Sequence, residues 1–284
     1  SLGTTARIAF RINPDVDAGT HAKISTGKAE NKFGVPIDRA RASYAAAAAL
    51  PGIDVVGVAV HIGSQLTDLA PLAGAFAKIG ALIADLRADG HDVRTADLGG
   101  GLGVPYDPAL PAPPVPADYG AMVAEVTRDW NVRLIFEPGR LIVANAGVLL
   151  TRVVRVKTGA AERFVVVDAA MNDLLRPSLY DAWHDVRAVA PRGSRMTANV
   201  VGPVCETGDT FASNRDLDTL EEGDLALFMT AGAYGATMAS TYNSRPLTAE
   251  VLARGGDYAV VRARQPIAAL IALDSVPKWL SQGD

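Results

Sequence analysis

Over the first 145 residues, four short apolar runs alternate with three stretches of helical spacing. This alternation restricts the first half of the chain to parallel strands joined by crossover helices. The runs are 6–12 (closed by Asn13-Pro14-Asp15), 55–61, 93–98 and 132–136. Residues 55–61 are continuous and β-branched, the pattern of a strand covered on both faces. Asp38 is expected to N-cap a helix that crosses the alanine run 45–49 to Leu50 and stops at Pro51-Gly52. Asp68 is expected to cap a second helix, with Leu72, Phe76, Ile79, Ile83 and Leu86 on one face and a stop at Gly90. A loop with five prolines between Pro108 and Pro116 precedes a third helix, read as 118–130.

Polar motifs close the strands at their C-terminal ends, where a (β/α)8 barrel builds its active site. Four strands are half a barrel, so residues 1–145 are read as strands 5 to 8, with the other half expected upstream of Ser1. The pattern changes over 146–284. Short β-rich segments at 148–156, 163–167, 198–201, 224–229 and 258–262 are separated by Gly, Asp and Asn turns, and long helical periods are absent. The expected fold class is therefore α/β followed by a second, mostly antiparallel β domain.

Composition removes several function classes. A net charge of −4 gives no support for binding nucleic acid or an anionic membrane. Charges or Gly and Pro interrupt every apolar run before the roughly 18–20 residues a spanning helix needs. The first residues lack the basic and apolar blocks of a signal peptide. A single cysteine, Cys205, excludes an internal disulfide and fits a reducing compartment, so a cytoplasmic location is expected.

The residues that suggest chemistry sit in loops. Asp97-Leu98-Gly99-Gly100-Gly101-Leu102-Gly103-Val104 places four glycines in five positions after a strand, which taken alone reads first as a tight turn and second as a nest of N–H groups suited to phosphate. It lacks the Gly-x-Gly-x-x-Gly spacing of a dinucleotide site. His61-Ile62-Gly63-Ser64-Gln65 and Glu137-Pro138-Gly139-Arg140 end two other strands; alone they read as a satisfied structural histidine and a salt-bridged turn. Cys205, in the run Gly202 to Asp209, is on its own a small apolar residue. Arg176 to Tyr180 could be a surface loop, and Gly232-Ala233-Tyr234-Gly235 a hairpin turn.

Taken in order, HIGSQ, DLGGGLG, EPGR, MND-x-x-RPSLYDAWH, GPVCETGD and GAYG closely resemble the meso-diaminopimelate decarboxylases. These belong to the fold-type III pyridoxal-phosphate enzymes, with an alanine-racemase-like barrel and a β domain. RINPD, ISTG and NKFG resemble the same family, and the likeness runs from about Arg7 to Trp279. It implies pyridoxal 5'-phosphate as cofactor, decarboxylation of meso-2,6-diaminopimelate to L-lysine, and a homodimer with shared active sites. No metal is implied. Glu137 matches the carboxylate that faces the pyridine nitrogen, and His61 matches the imidazole that stacks on the ring. Ser64, Gly99, Gly100, Gly101 and Gly139 match the phosphate cradle, with Arg140 beside it. Cys205 matches the proton donor. Arg140, Arg176 and Tyr180 match the binders of the distal carboxylate, and Glu206 matches the residue for the distal ammonium. Tyr234 matches a tyrosine close to both phosphate and substrate.

One departure concerns the Schiff-base lysine, which in this family lies in a Tyr-x-x-Lys-Ala-Asn-like segment of the first barrel strand. None of Lys23, Lys28, Lys32, Lys78, Lys157 and Lys278 has that context. Two other outcomes stay open: a decarboxylase of the ornithine or arginine type, and a non-catalytic homologue that binds the cofactor. In relatives acting on monocarboxylic diamino acids an acidic residue meets the distal amine, so the arginine set points to diaminopimelate.

Overall fold

The computed structural model describes residues 3–17 and 32–281, and the chain forms two compact units, Ser1–Val143 and Ala144–Asp284. The ISTG segment, Lys23, Lys28 and Asn31 lie outside the described residues.

The first unit is built on a parallel sheet of β1 (Ala6–Asn13), β2 (Val35–Pro36), β3 (Ile53–Val60), β4 (Thr95–Asp97) and β5 (Arg133–Ile135), in the order β2-β1-β3-β4-β5. The expected count of four strands omitted β2, a two-residue strand that pairs Val35 with Ile12. β3 has no exposed residue, as its unbroken β-branched run requires. The crossovers are α1 (Ala40–Ala48), α2 (Ala70–Ala88) and α3 (Pro116–Val126), and α4 (Arg140–Val143) follows β5. Leu72, Ala75, Phe76, Ile79, Leu82, Ile83 and Leu86 bury one face of α2 in the same core as Val58, Val60 and Ala96.

The helix ends show which start and stop signals operate. The cap position of α2 is Leu69, which offers no side-chain bond, but Asp68 one residue earlier accepts the Ala70 N–H on Oδ1 at 2.9 Å and so takes up one orphan donor of the first turn. At the other end, His91 N–H reaches Leu86 O and Gly90 N–H reaches Arg87 O, both at 3.0 Å, which is a Schellman stop. Asp38 does not cap α1. Pro36 is extended (φ −53°, ψ 138°) and leads into a 3-10 turn over Ile37–Arg39, so Asp38 already lies inside the helical turn and makes no capping bond. α3 begins at Pro116, not Asp118, because proline suits a first turn that needs no N–H. It ends at Val126, and Trp130 folds back through its N–H to Thr127 O at 3.0 Å.

The second unit contains β6 (Leu149–Thr158), β7 (Arg163–Val167), the short α5 (Arg176–Tyr180), β8 (Val186–Ala188), β9 (Arg195–Val201), β10 (Thr210–Asp218) and β11 (Leu225–Phe228). Six strands pair in the order β10-β9-β7-β6-β11-β8. The sheet is mixed, since β7 and β9 run parallel (Val165↔Val200) while the other pairs are antiparallel. It curls into a nearly closed barrel, and its two edges are tied where Ala188 N–H donates to Asp218 Oδ2 at 3.2 Å. Inside lie Val165, Val167, Val200, Leu217 and Phe228, with the Phe211 and Phe228 rings 4.4 Å apart. A separate hairpin of β12 (Glu250–Arg254) and β13 (Asp257–Arg262) precedes α6 (Ile267–Ile271) and α7 (Lys278–Ser281). Among the described residues no helix is long and apolar enough to cross a membrane.

Candidate functional site

In the first unit the loops after β3, β4 and β5 are knitted together at the C-terminal edge of the sheet. Leu66 N–H donates to Gly101 O at 2.9 Å, and Gly103 N–H to Leu66 O at 2.8 Å. Gln65 binds Val104 twice, through Nε2 to its carbonyl at 2.6 Å and through Oε1 from its N–H at 3.2 Å. The third loop joins through Glu137 N–H, which donates to Gly99 O at 2.8 Å.

This closeness explains the glycines. A Cβ on Gly100 would stand 2.3 Å from Glu137 O, and one on Gly101 (φ +106°) would stand 2.3 Å from Gly63 O. Only a bare backbone fits between the loops. Gly99 N–H is turned onto Asp97 Oδ1 at 2.9 Å and Gly100 N–H onto His61 Nδ1 at 3.3 Å. A cavity of about 40 Å³ is lined by Gly99, Gly100, Gly101, Gly139, Arg140 and neighbouring apolar residues. Tyr119, also on its wall, has its hydroxyl pushed up to about 12 by burial.

His61 is therefore an acceptor at Nδ1. Burial lowers its pKa first and Arg11 adds to the shift, against an opposing pull from Asp97. Together these hold a neutral ring with its remaining proton on Nε2. Arg11 donates to His61 O at 3.2 Å, and the Glu137 carboxylate supports its charge against burial. Arg140 is buried, at 7% exposure. It donates to Tyr106 Oη at 2.6 Å and to Ser64 Oγ at 2.9 Å, and its guanidinium lies 5.6 Å from the centre of the Tyr106 ring. The first unit thus brings His61, Ser64, Gly99, Gly100, Gly101, Glu137, Gly139 and Arg140 to one edge. Arg11, Gln65 and Tyr106 brace them; Arg11 and Gln65 stand inside the quoted RINPD and HIGSQ motifs, but none of the three was expected as a site residue.

In the second unit Cys205 is exposed, in a loop held from beneath by Asp209. Asp209 is 2% exposed; its Oδ1 accepts the Met171 N–H at 2.6 Å and its Oδ2 the Val204 N–H at 2.7 Å. Burial pushes the Asp209 carboxyl up, against the pull of those two donors. This clamp joins the MND and GPVCETGD motifs. Glu206 Oε2 accepts the Tyr242 hydroxyl at 2.6 Å, and this bond is the main cause that raises the tyrosine's pKa.

Arg176 does not lie in a surface loop. It opens α5 at 6% exposure, and its Nη1 meets Nε2 of the fully buried His184 at 2.8 Å. Tyr180 is half-buried at the end of the same helix. Tyr234 is exposed in the loop after β11 with φ +57°, a left-handed strain of order 1 kcal/mol that a bulky residue rarely carries. The hairpin alternative for this loop fails, because β11 pairs with β6 and β8 and not with the strand that follows. Tyr242, His184 and Asp209 were also missed as site residues. The last two stand inside quoted motifs, whereas only structure marks Tyr242.

Residues 2–144 match the pyridoxal binding domain of the pyridoxal-dependent decarboxylases. Over 280 residues the chain is 53% identical to a diaminopimelate decarboxylase of Zymomonas mobilis, covering 99% of this chain and 66% of that one. It is 50% identical to the Vibrio cholerae enzyme of the same name, covering 97% and 66%. The crystal structure of diaminopimelate decarboxylase from Helicobacter pylori complexed with L-lysine superposes with a TM-score of 0.91 at 43% identity, covering 96% of this chain and 68% of that one. The chain thus spans about 66% of the length of the two sequence relatives.

Proposed function

The chain belongs to the pyridoxal-dependent decarboxylase family, and we propose that its full-length protein decarboxylates meso-2,6-diaminopimelate to L-lysine and CO2. The first unit is read as strands 5 to 8 of an alanine-racemase-like barrel. Its glycine loop and the 137–140 loop line one small cavity beside the buried guanidinium of Arg140, a lining whose chemistry suits a phosphate. Gly101, Gly139 and Ser64 would hold the phosphate of pyridoxal 5'-phosphate. Gly99 and Gly100, whose N–H groups are turned onto Asp97 and His61, would lie bare along it, and Arg140 would stand beside it with Glu137 at the pyridine nitrogen. His61 would offer the ring a flat and uncharged face. Bound there, the cofactor supplies the electron sink that lets the bond to the departing carboxylate break.

The rest belongs to the protein's own side chains. Cys205 Sγ holds the proton that replaces CO2 on the reacting carbon, a general-acid role. Arg176, Arg140 and Tyr180 bind the distal carboxylate, for which an arginine fork is suited. Glu206, fixed by Tyr242, meets the distal ammonium, and Tyr234 lies close to phosphate and substrate.

The observation that carries this reading is the buried arginine of the second unit, Arg176, in a unit that also presents Cys205 and Glu206. An ornithine-type site needs an acid at the distal end and no such arginine. The test is CO2 release by the full-length protein loaded with pyridoxal phosphate. Release from meso-diaminopimelate but not from ornithine is expected, and equal or faster release from ornithine would overturn the reading. The lone thiol fits a cytoplasmic enzyme.

We also propose a two-fold homodimer with shared sites. Mixing a C205A protein with one lacking the cofactor-anchoring lysine should restore roughly a quarter of wild-type activity, since about half the dimers are hybrids with half their sites intact. A mixture that stays inactive despite subunit exchange would show that each site is built within one chain.

A further inference from the structure

We infer that His184 is a positioning residue for Arg176, fixing the guanidinium plane that meets the substrate's distal carboxylate. The inference rests on the role given to Arg176 above. Left-handed Asp181 (φ 52°) ends α5 and turns the chain back, so that His184 meets Arg176 from eight residues away. Both side chains are buried, His184 completely.

The tautomer follows from the partners. His184 Nδ1 lies 2.9 Å from Met229 O, and a carbonyl oxygen only accepts, so Nδ1 carries the proton. Nε2 of the neutral ring then has only its lone pair, which accepts from Arg176 Nη1 at 2.8 Å. A second proton on the ring would set N–H against N–H. The histidine backbone is held as well: Arg215 Nη1 donates to His184 O at 3.1 Å while its guanidinium covers the Trp183 ring.

A guanidinium is a rigid planar fork, so one fixed N–H sets the direction of the others. An imidazole does this without charge. A carboxylate in its place would neutralise Arg176 and compete with the ligand's own carboxylate for the fork.

The test uses the full-length holoenzyme and two ligands that differ by one carboxylate: L-lysine, which keeps it, and 1,5-diaminopentane, which lacks it. Calorimetry on H184F should show L-lysine bound about 10-fold more weakly, the scale of one hydrogen bond to a charged group. Binding of 1,5-diaminopentane should stay unchanged. H184Q keeps an acceptor for Arg176 and should recover most of the loss, and KM for meso-diaminopimelate should rise in H184F with kcat nearly preserved. Wild-type L-lysine affinity in H184F, beside a clear loss in R176A, would overturn the role of His184 alone. Undiminished affinity in R176A would overturn the reading of Arg176 itself. Imidazole ¹⁵N shifts in the unmutated protein report without any variant having to fold, and a ring protonated at Nε2 would refute the assignment.

Discussion

Removing the Asp209 carboxylate should loosen the loop that carries Cys205. The two bonds it accepts, from Met171 at 2.6 Å and Val204 at 2.7 Å, go to different oxygens, the pattern of an ionised carboxylate. In D209A both N–H groups lose their acceptor. The Val204 amide is buried and cannot turn to solvent without opening the loop. A buried donor left unsatisfied costs about 1–3 kcal/mol, so the Val204 amide sets the loss on that scale and the half-buried Met171 amide adds a smaller amount. Such a loss is a sizeable part of a typical stability of roughly 5–15 kcal/mol. D209N keeps one acceptor and turns an amide N–H onto the other donor, so about half the loss is expected. Urea unfolding should rank wild type above D209N above D209A, and hydrogen exchange at the Val204 amide should quicken in the same order. Wild-type protection of Val204 in D209N, with an unshifted urea midpoint, would show that the clamp carries no weight.

Three further outcomes are expected. Because burial and Arg11 depress the His61 pKa below its ordinary 6.5, the unfolded chain takes up that proton first as pH falls. His61's contribution to stability is thus complete above about pH 6.5 and lost as pH drops from there through the lowered value; H61Q should flatten that slope in urea titrations, and an unaltered slope refutes it. C205A in the full-length enzyme should lower kcat by about 10²–10⁴-fold while leaving pyridoxal phosphate affinity unchanged, and a loss within twofold would remove Cys205 as the proton donor. Y242F deletes the 2.6 Å bond to Glu206 and should raise KM for meso-diaminopimelate with little change in kcat; equal falls in kcat and kcat/KM would place Tyr242 in the chemical step instead.

What could be read from the residues divides along physical lines. β3 was legible as an unbroken β-branched run covered on both faces, and α2 as a long helix with its apolar residues on one face. β8, β10 and β12 were not. β8 is only Val186–Ala188, with an exposed arginine at its centre. β10 (TFASNRDLD) shifts register between Thr210 and Ala212 and again between Ala212 and Arg215, which breaks the alternation a strand normally shows. Asp38 resembled a cap, but the 3-10 turn after Pro36 had already begun the helix. At the site, motif order marked the groups proposed to touch cofactor and substrate, since their chemistry restricts the residue type. The groups that hold them were hidden for the opposite reason. Gln65 is fixed by Val104 from 39 positions away, Asp209 by Met171 from 38 and Tyr242 by Glu206 from 36, distances at which sequence carries no pattern. His184 shows the boundary most sharply, because it stands inside a quoted motif only eight residues from Arg176. Spacing on an extended or helical segment would not have paired the two. The left-handed turn at Asp181 does, and a single aspartate gives no warning of it.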